Sequence, residues 1–165
     1  MRILDVNRWM YRGGRPNRLA SLLNRWGVWL ATAGLGPGRM AALEVRGRRS
    51  GCLISFPVVI TDHGGDRYLV AMLGEGTNWV ANLRAARGQA VLRRGRREAV
   101  QLEPVEPAAR APILRRYLQV APGARSHIPV DRRAPVADFE AVAARYPVFR
   151  IRPGREEGTS PAQSG

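Results

Sequence analysis

This chain has no lysine: all 27 of its basic residues are arginine, against 13 acidic ones. That absence excludes Schiff-base chemistry and a lysine general base. It leaves an excess of guanidinium groups that stay charged at any working pH and grip phosphate or carboxylate with two parallel hydrogen bonds. A GC-rich coding sequence would also favour arginine, so the bias alone does not assign a ligand. Cysteine is scarce too. Cys52 stands alone, which rules out an intramolecular disulfide and a thiolate metal cluster and fits a reducing compartment. Its expected role is a small apolar filler in a strand. The two histidines, His63 and His127, are far apart in sequence and lack acidic neighbours in ligand spacing, so no metal is expected. Long apolar runs are missing as well. The stretch from Trp26 to Leu30 falls short of a signal-peptide core and far short of a membrane span, and a cytoplasmic protein is expected. Paired carboxylates, a Ser-His-Asp order and a phosphate loop of the nucleotide-binding type are all absent.

What is present is enough for one folded domain. The chain has 165 residues, 45% of them hydrophobic, and a formal charge of +14, which calls for an anionic partner. Residues 1–38 read as an N-terminal amphipathic helical segment. Leu19, Leu22, Leu23, Trp26 and Leu30 recur at helical spacing, and Trp9, Met10 and Tyr11 lie among Arg2, Arg8 and Arg12. Packing of these faces onto a sheet is one use of such a segment; lying on a membrane surface is the other.

Residues 39–152 change period. Strands are expected over 40–46, 52–61 (with Pro57 marking an edge or a bulge), 67–72, 89–93, 97–105 and 148–152, linked by tight glycine turns. Helices are expected over 78–86, 107–118 and 136–145. Consecutive hairpins require an antiparallel sheet, and about six strands with helices at the ends close best as a small barrel. Residues 153–165, polar and rich in Gly, Ser and Pro, are expected to be disordered.

Two stretches carry chemistry. Arg46-Gly47-Arg48-Arg49-Ser50-Gly51 is an arginine-bearing turn between strands. Gly74-Glu75-Gly76-Thr77-Asn78-Trp79-Val80-Ala81-Asn82-Leu83 is a glycine loop opening into a helix. The first offers guanidinium forks, the second the free N–H groups of a helix start, and together they could clasp one anion. Trp79 and Asn82, three apart, share a helix face. An indole and an amide suit a planar heterocycle there, but they suit equally a core tryptophan and an asparagine that ties down a neighbouring loop. A further cluster, Arg93, Arg94, Arg96 and Arg97, flanks Gly95. It is either a solvated hairpin tip or an extension of a positive channel. Tyr117 and Tyr146 are candidates for proton donation or for packing.

With these pieces placed, the chain resembles the deazaflavin-dependent nitroreductase and quinone reductase family, common in actinobacteria. The resemblance rests on Gly47-Arg48-Arg49-Ser50-Gly51, Pro57, Gly65-Asp66-Arg67-Tyr68 and Trp79-Val80-Ala81-Asn82-Leu83-Arg84-Ala85. Arg116-Tyr117-Leu118, Pro122-Gly123-Ala124-Arg125 and Tyr146-Pro147-Val148-Phe149-Arg150 match one branch of it. It implies a split β-barrel of the FMN-binding type and an oxidoreductase passing hydride from reduced coenzyme F420 to a quinone, nitro compound or other conjugated acceptor. FMN is the runner-up cofactor. It further implies that Arg48, Arg49 and Ser50 hold the coenzyme's phosphate or acidic tail. Leu73 and Gly74 would border the ring through their backbone, and Trp79 and Asn82 would line the channel. Tyr117 is the nearest match to the family's C-terminal tyrosines and the one catalytic candidate. The partners implied are a small-molecule electron acceptor, a second copy of the chain in a homodimer, and peripheral membrane contact through residues 1–38 at the inner face. Nucleic acid is not expected, because aromatics do not alternate with arginine on the predicted sheet. The chain departs from the family at Leu53-Ile54, where a basic residue is usual, and in its shorter loop at Gly74-Glu75-Gly76.

Overall fold

A computed structural model describes residues 38–155, so the expected N-terminal helical segment and all but the first residues of the expected tail lie outside the described residues. Seven strands run in the order β1 (Met40–Arg46), β2 (Leu53–Val59), β3 (Thr61–His63), β4 (Asp66–Val70), β5 (Gln89–Arg94), β6 (Arg96–Pro104) and β7 (Val148–Pro153). Helix α1 (Asn78–Ala85) lies between β4 and β5. Helices α2 (Ala111–Val120) and α3 (Val136–Glu140) lie between β6 and β7.

All pairings are antiparallel, in the order β2-β1-β5-β6-β7-β4-β3. The two edge strands of that sheet, β2 and β3, are separated in the chain by Ile60 alone, whose N–H donates to the Arg39 carbonyl at 2.8 Å. A sheet whose edges are successive parts of one chain segment has to curl until they meet. The result is a split β-barrel. The expected single strand over 52–61 is therefore two strands serving opposite neighbours, which raises the count from six to seven. Pro57 sits on edge strand β2, opposite Ala42, where its missing N–H costs no ladder bond. The β3–β4 turn is made by Gly64 and Gly65. Both glycines have positive φ, 57° and 83°, the geometry of a two-residue hairpin loop.

Alternation along the strands divides the core in two. Inside the barrel lie Ala41, Leu43, Val45, Leu69, Ala71, Ala90, Leu92, Val100, Leu102, Phe149 and Ile151, joined by Val80 and Leu83 of α1. Outside, Tyr68, Val70 and Val148 pack against Ile113, Leu114, Tyr117 and Leu118 of α2 and Phe139 of α3. Each fully buried leucine contributes on the order of 2 kcal/mol. Two expected helices are shorter than their patterns suggested. A 3₁₀ turn at Pro107–Ala109 precedes α2, and α3 is followed by a separate 3₁₀ turn at Ala143–Arg145. Arg110, buried at the first of these breaks, donates to the carbonyls of Val105, Ala143 and Tyr146 and so ties both irregular segments together.

The strand directions give the barrel two distinct ends. The loop 47–52, the β4–α1 connection and α1 itself lie at one end. The β3–β4 and β5–β6 hairpin tips lie at the other.

Candidate functional site

The arginine turn closes the β1–β2 hairpin with two backbone bonds, Gly47 N–H to Cys52 O at 2.8 Å and Gly51 N–H to Gly47 O at 2.9 Å. Glycine is required at both positions. A Cβ on Gly47 would lie 2.7 Å from Ser50 Oγ, and Gly51 has φ 70°. Ser50 Oγ accepts the Cys52 N–H at 3.2 Å, so part of its hydroxyl serves the turn. Arg46 Nη1 donates to the Gly51 carbonyl at 2.7 Å.

Thirty residues on, Thr77 occupies the position before the first helical residue of α1, as expected, but its side chain does not cap the helix. Its Oγ1 turns back to donate to the Gly74 carbonyl at 3.1 Å. Among the described residues the first-turn N–H groups of α1 thus have no side-chain cap, at the positive end of the helix. Glu75, in the loop, pairs with Arg84 in the last turn of the helix.

The turn and the helix come together. Asn82, buried on α1, accepts both the Arg48 backbone N–H at 3.2 Å and Arg48 Nη1 at 2.8 Å through the same Oδ1. The Arg48 guanidinium also reaches the Asn78 carbonyl and Oδ1, each at 3.5 Å. Asn82 thus fastens the arginine turn to the helix, and Arg48 is the strap. Arg49 and Ser50 are exposed beside it, and Arg49 makes no hydrogen bond or ion pair among the described residues. Asn78 is the member of this group that sequence reasoning passed over; its place at the first position of a helix facing an arginine turn was the signal.

Trp79 faces inward between Phe56 and Phe149, with ring centroids at 5.6 and 5.5 Å, and packs against the interior core while staying partly accessible. Leu73 is exposed at the same end, and Gly74 turns the chain with φ 86°. Leu53 and Ile54, the other large exposed apolar residues, start β2 at this end as well.

One residue stands elsewhere than expected, and two tyrosines left open between proton donation and packing take the second role. Cys52 is exposed in the turn before β2, not buried in a strand, at an end of the hairpin where Leu53 and Ile54 are exposed as well. Tyr117 lies in the outer core under α2, on the far side of the barrel wall from Trp79, and burial pushes its hydroxyl pKa well up. The Tyr146 hydroxyl donates to the His127 carbonyl at 2.9 Å, a structural bond. The arginines around Gly95 split by face. Arg93 and Arg97 point outward, 3.0 and 3.3 Å from the buried Glu44 carboxylate. Arg94 and Arg96 share the inward face with the Leu92–Glu98 pair. Among the described residues no group of three His, Cys, Asp or Glu could hold a metal, and no helix is long and apolar enough to cross a membrane.

This arrangement can bind an anion between the exposed arginine and an uncapped helix start, beside an aromatic wall. A family model described as F420H(2)-dependent quinone reductase matches residues 31–140. No protein of curated function matches the chain. Among solved structures it is similar to Atu2129, of unknown function, from Agrobacterium tumefaciens str. C58. There the TM-score is 0.52 at 16% identity over 78% of this chain and 54% of that one, so this chain spans about half of that protein's length. It also matches an F420-H2 dependent reductase, FDR-A, with TM-score 0.45 and 15% identity over 69% of this chain and 94% of that one. An F420 reductase matches with TM-score 0.44 and 12% identity over 78% and 94%.

Proposed function

We propose, since this chain belongs to the F420H(2)-dependent quinone reductase family, that it is an F420-dependent oxidoreductase whose coenzyme sits at the junction of the arginine turn and α1. The observation that carries the reading is the strap from Arg48 to Asn82 and Asn78, which brings guanidinium groups and free helix N–H groups to one place. The exposed Arg49 and the remaining capacity of Ser50 would take the phosphate or the acidic tail. The N–H groups at the start of α1 add positive potential to the same spot. Arg48, held by Asn82, would present its outer N–H groups without having to be ordered first. The backbone at Leu73 and Gly74 and the accessible part of Trp79 would border the ring, and Asn82 would act from beneath as the positioning residue. When bound, the coenzyme supplies a hydride; the chain's own residues bind, orient and exclude water.

The acceptor in this proposal is a quinone, nitro compound or other conjugated small molecule. Exposed Leu53, Ile54 and Leu73 at the same end of the barrel provide apolar contact for it. The matched family gives FMN no support. Self-association into a homodimer belongs to the same proposal, and analytical ultracentrifugation reads it directly.

Calorimetric titration with the coenzyme tests the reading. Arg49→Ala should bind about tenfold more weakly, with a shallower dependence on salt. Because Arg49 is exposed and unpaired among the described residues, the variant should melt like the parent. The single cysteine gives an independent readout, since Cys52 lies in the turn and bound coenzyme should slow its alkylation. Unchanged affinity in Arg49→Ala, together with unprotected Cys52, would place the coenzyme elsewhere.

A further inference from the structure

The barrel's other end holds a chamber that the coenzyme reading does not use. Arg39, Ala41, Ile60, Asp62, Arg67, Leu92, Arg94, Arg96 and Glu98 line a space of about 560 Å³, within the roughly 300–1,000 Å³ usual for small-ligand sites. The pairings put Leu92, Arg94, Arg96 and Glu98 on the inner face of the wall, in the layer beyond Ala90 and Val100. This end of the interior is charged, and the rest of the interior is apolar.

Its charges are unevenly matched. Arg67 and Glu98 pair with each other, and Asp62 is shared by Arg39 and by Arg116 from α2. Among the described residues neither Arg94 nor Arg96 makes a close ion pair: Arg96 acts on the Glu98 carboxylate only through space, Glu98 being hydrogen-bonded to Arg67, and Arg94 donates to the Gly38 carbonyl. They are also directly opposite each other across the β5–β6 ladder, either side of Gly95. Like charges in that relation repel. The adjacent pair on the outer face, Arg93 and Arg97, stands in the same relation, but Glu44 lies between them. The inward pair has no carboxylate bonded between its members, since Glu98, the nearest acid on that face, is engaged by Arg67.

We propose that the chamber binds a small organic oxyanion, a carboxylate or phosphate ester on an apolar body, with its charge between Arg94 and Arg96 and its body against Ala41, Ile60 and Leu92. Leu43, Leu69 and Leu102 fill the barrel between the chamber and α1. A ligand here is therefore remote from the arginine turn and binds independently of anything held there.

Thermal melting at constant ionic strength, with benzoate, phenyl phosphate or inorganic phosphate replacing chloride, tests this. Benzoate and phenyl phosphate should raise the melting temperature of the full chain, with dissociation constants on the order of 1 mM. The paired change Arg94→Gln with Arg96→Gln should weaken both about tenfold or more. Arg93→Gln with Arg97→Gln should weaken neither, and Arg49→Ala should leave both intact. A better response to phenyl phosphate than to benzoate would assign a phosphate ester, and the reverse a carboxylate. Inorganic phosphate matching both would remove the apolar body from the proposal and overturn that part. Equal responses from the 94/96 and 93/97 variants would overturn it whole.

Discussion

At the scale of single residues, Asn82 decides the most. One amide oxygen receives two bonds from Arg48, and because Asn82 is buried both bonds are partly shielded from water. Asn82→Ala would leave the Arg48 N–H unpaired at a partly buried place, a loss of about 1–3 kcal/mol. We expect that loss in urea unfolding, accompanied by faster reaction of Cys52 with a thiol reagent as the turn loosens. Unaltered thiol reactivity would mean that the hairpin's own bonds hold the turn. The sequence placed Trp79 and Asn82 on one helix face but left both their roles open. The role of Asn82 as a tie depends on a turn that lies far off in sequence, and no local pattern carries that information. Cys52 shows the same limit: its strand-like surroundings suggested burial, but the whole start of β2, Leu53 and Ile54 included, is exposed.

At the scale of elements, α1 ends as expected at Arg87 and Gly88, both with positive φ. Gly88 N–H donates to the Leu83 carbonyl at 2.9 Å, and the Gly88 carbonyl accepts from Leu102 N–H at 2.8 Å, so one residue stops the helix and joins the sheet. A Cβ there would lie 2.5 Å from Gln101 Nε2 and 2.6 Å from the Leu102 carbonyl oxygen. Gly88→Ala should therefore cost about 2–4 kcal/mol, the sum of left-handed strain and overlap. Gly64→Ala has similar φ but open space around it, and should cost only about 1–2 kcal/mol. Chemical denaturation of the two variants separates steric overlap from backbone strain; equal losses would leave strain as the whole effect. Strand positions were legible because alternation and glycine turns are local. The break at Ile60 was not, since its cause is a change of hydrogen-bonding neighbour from β1 to β4.

At the scale of the whole molecule, closure of the barrel brings charged groups together that no single element holds. Arg67 of β4 and Glu98 of β6 form a bidentate pair although β7 lies between those strands in the sheet. The hydrogen bond from Arg67 holds the Glu98 carboxyl below its ordinary value of 4.5. A carboxylate with a lowered folded pKa adds stability that is complete above its unfolded pKa and is lost as pH falls through the folded one. The parent protein should therefore lose melting temperature as pH drops below about 4.5 more steeply than Glu98→Gln, whose curve lacks this component. Parallel curves would show that the pair contributes nothing across the barrel.

The sequence by itself determined the antiparallel strands, the helix after Thr77, the arginine turn and the family resemblance, because alternation, turn chemistry and short motifs act between neighbours along the chain. Only the tertiary structure decided that the turn and α1 meet through Arg48 and Asn82, and that Tyr117 falls on the outer side of the wall. It alone set Arg93 and Arg97 against Glu44 while leaving Arg94 and Arg96 facing a chamber. Each of those depends on which strand becomes whose neighbour, and that choice is made when the sheet curls shut between β2 and β3.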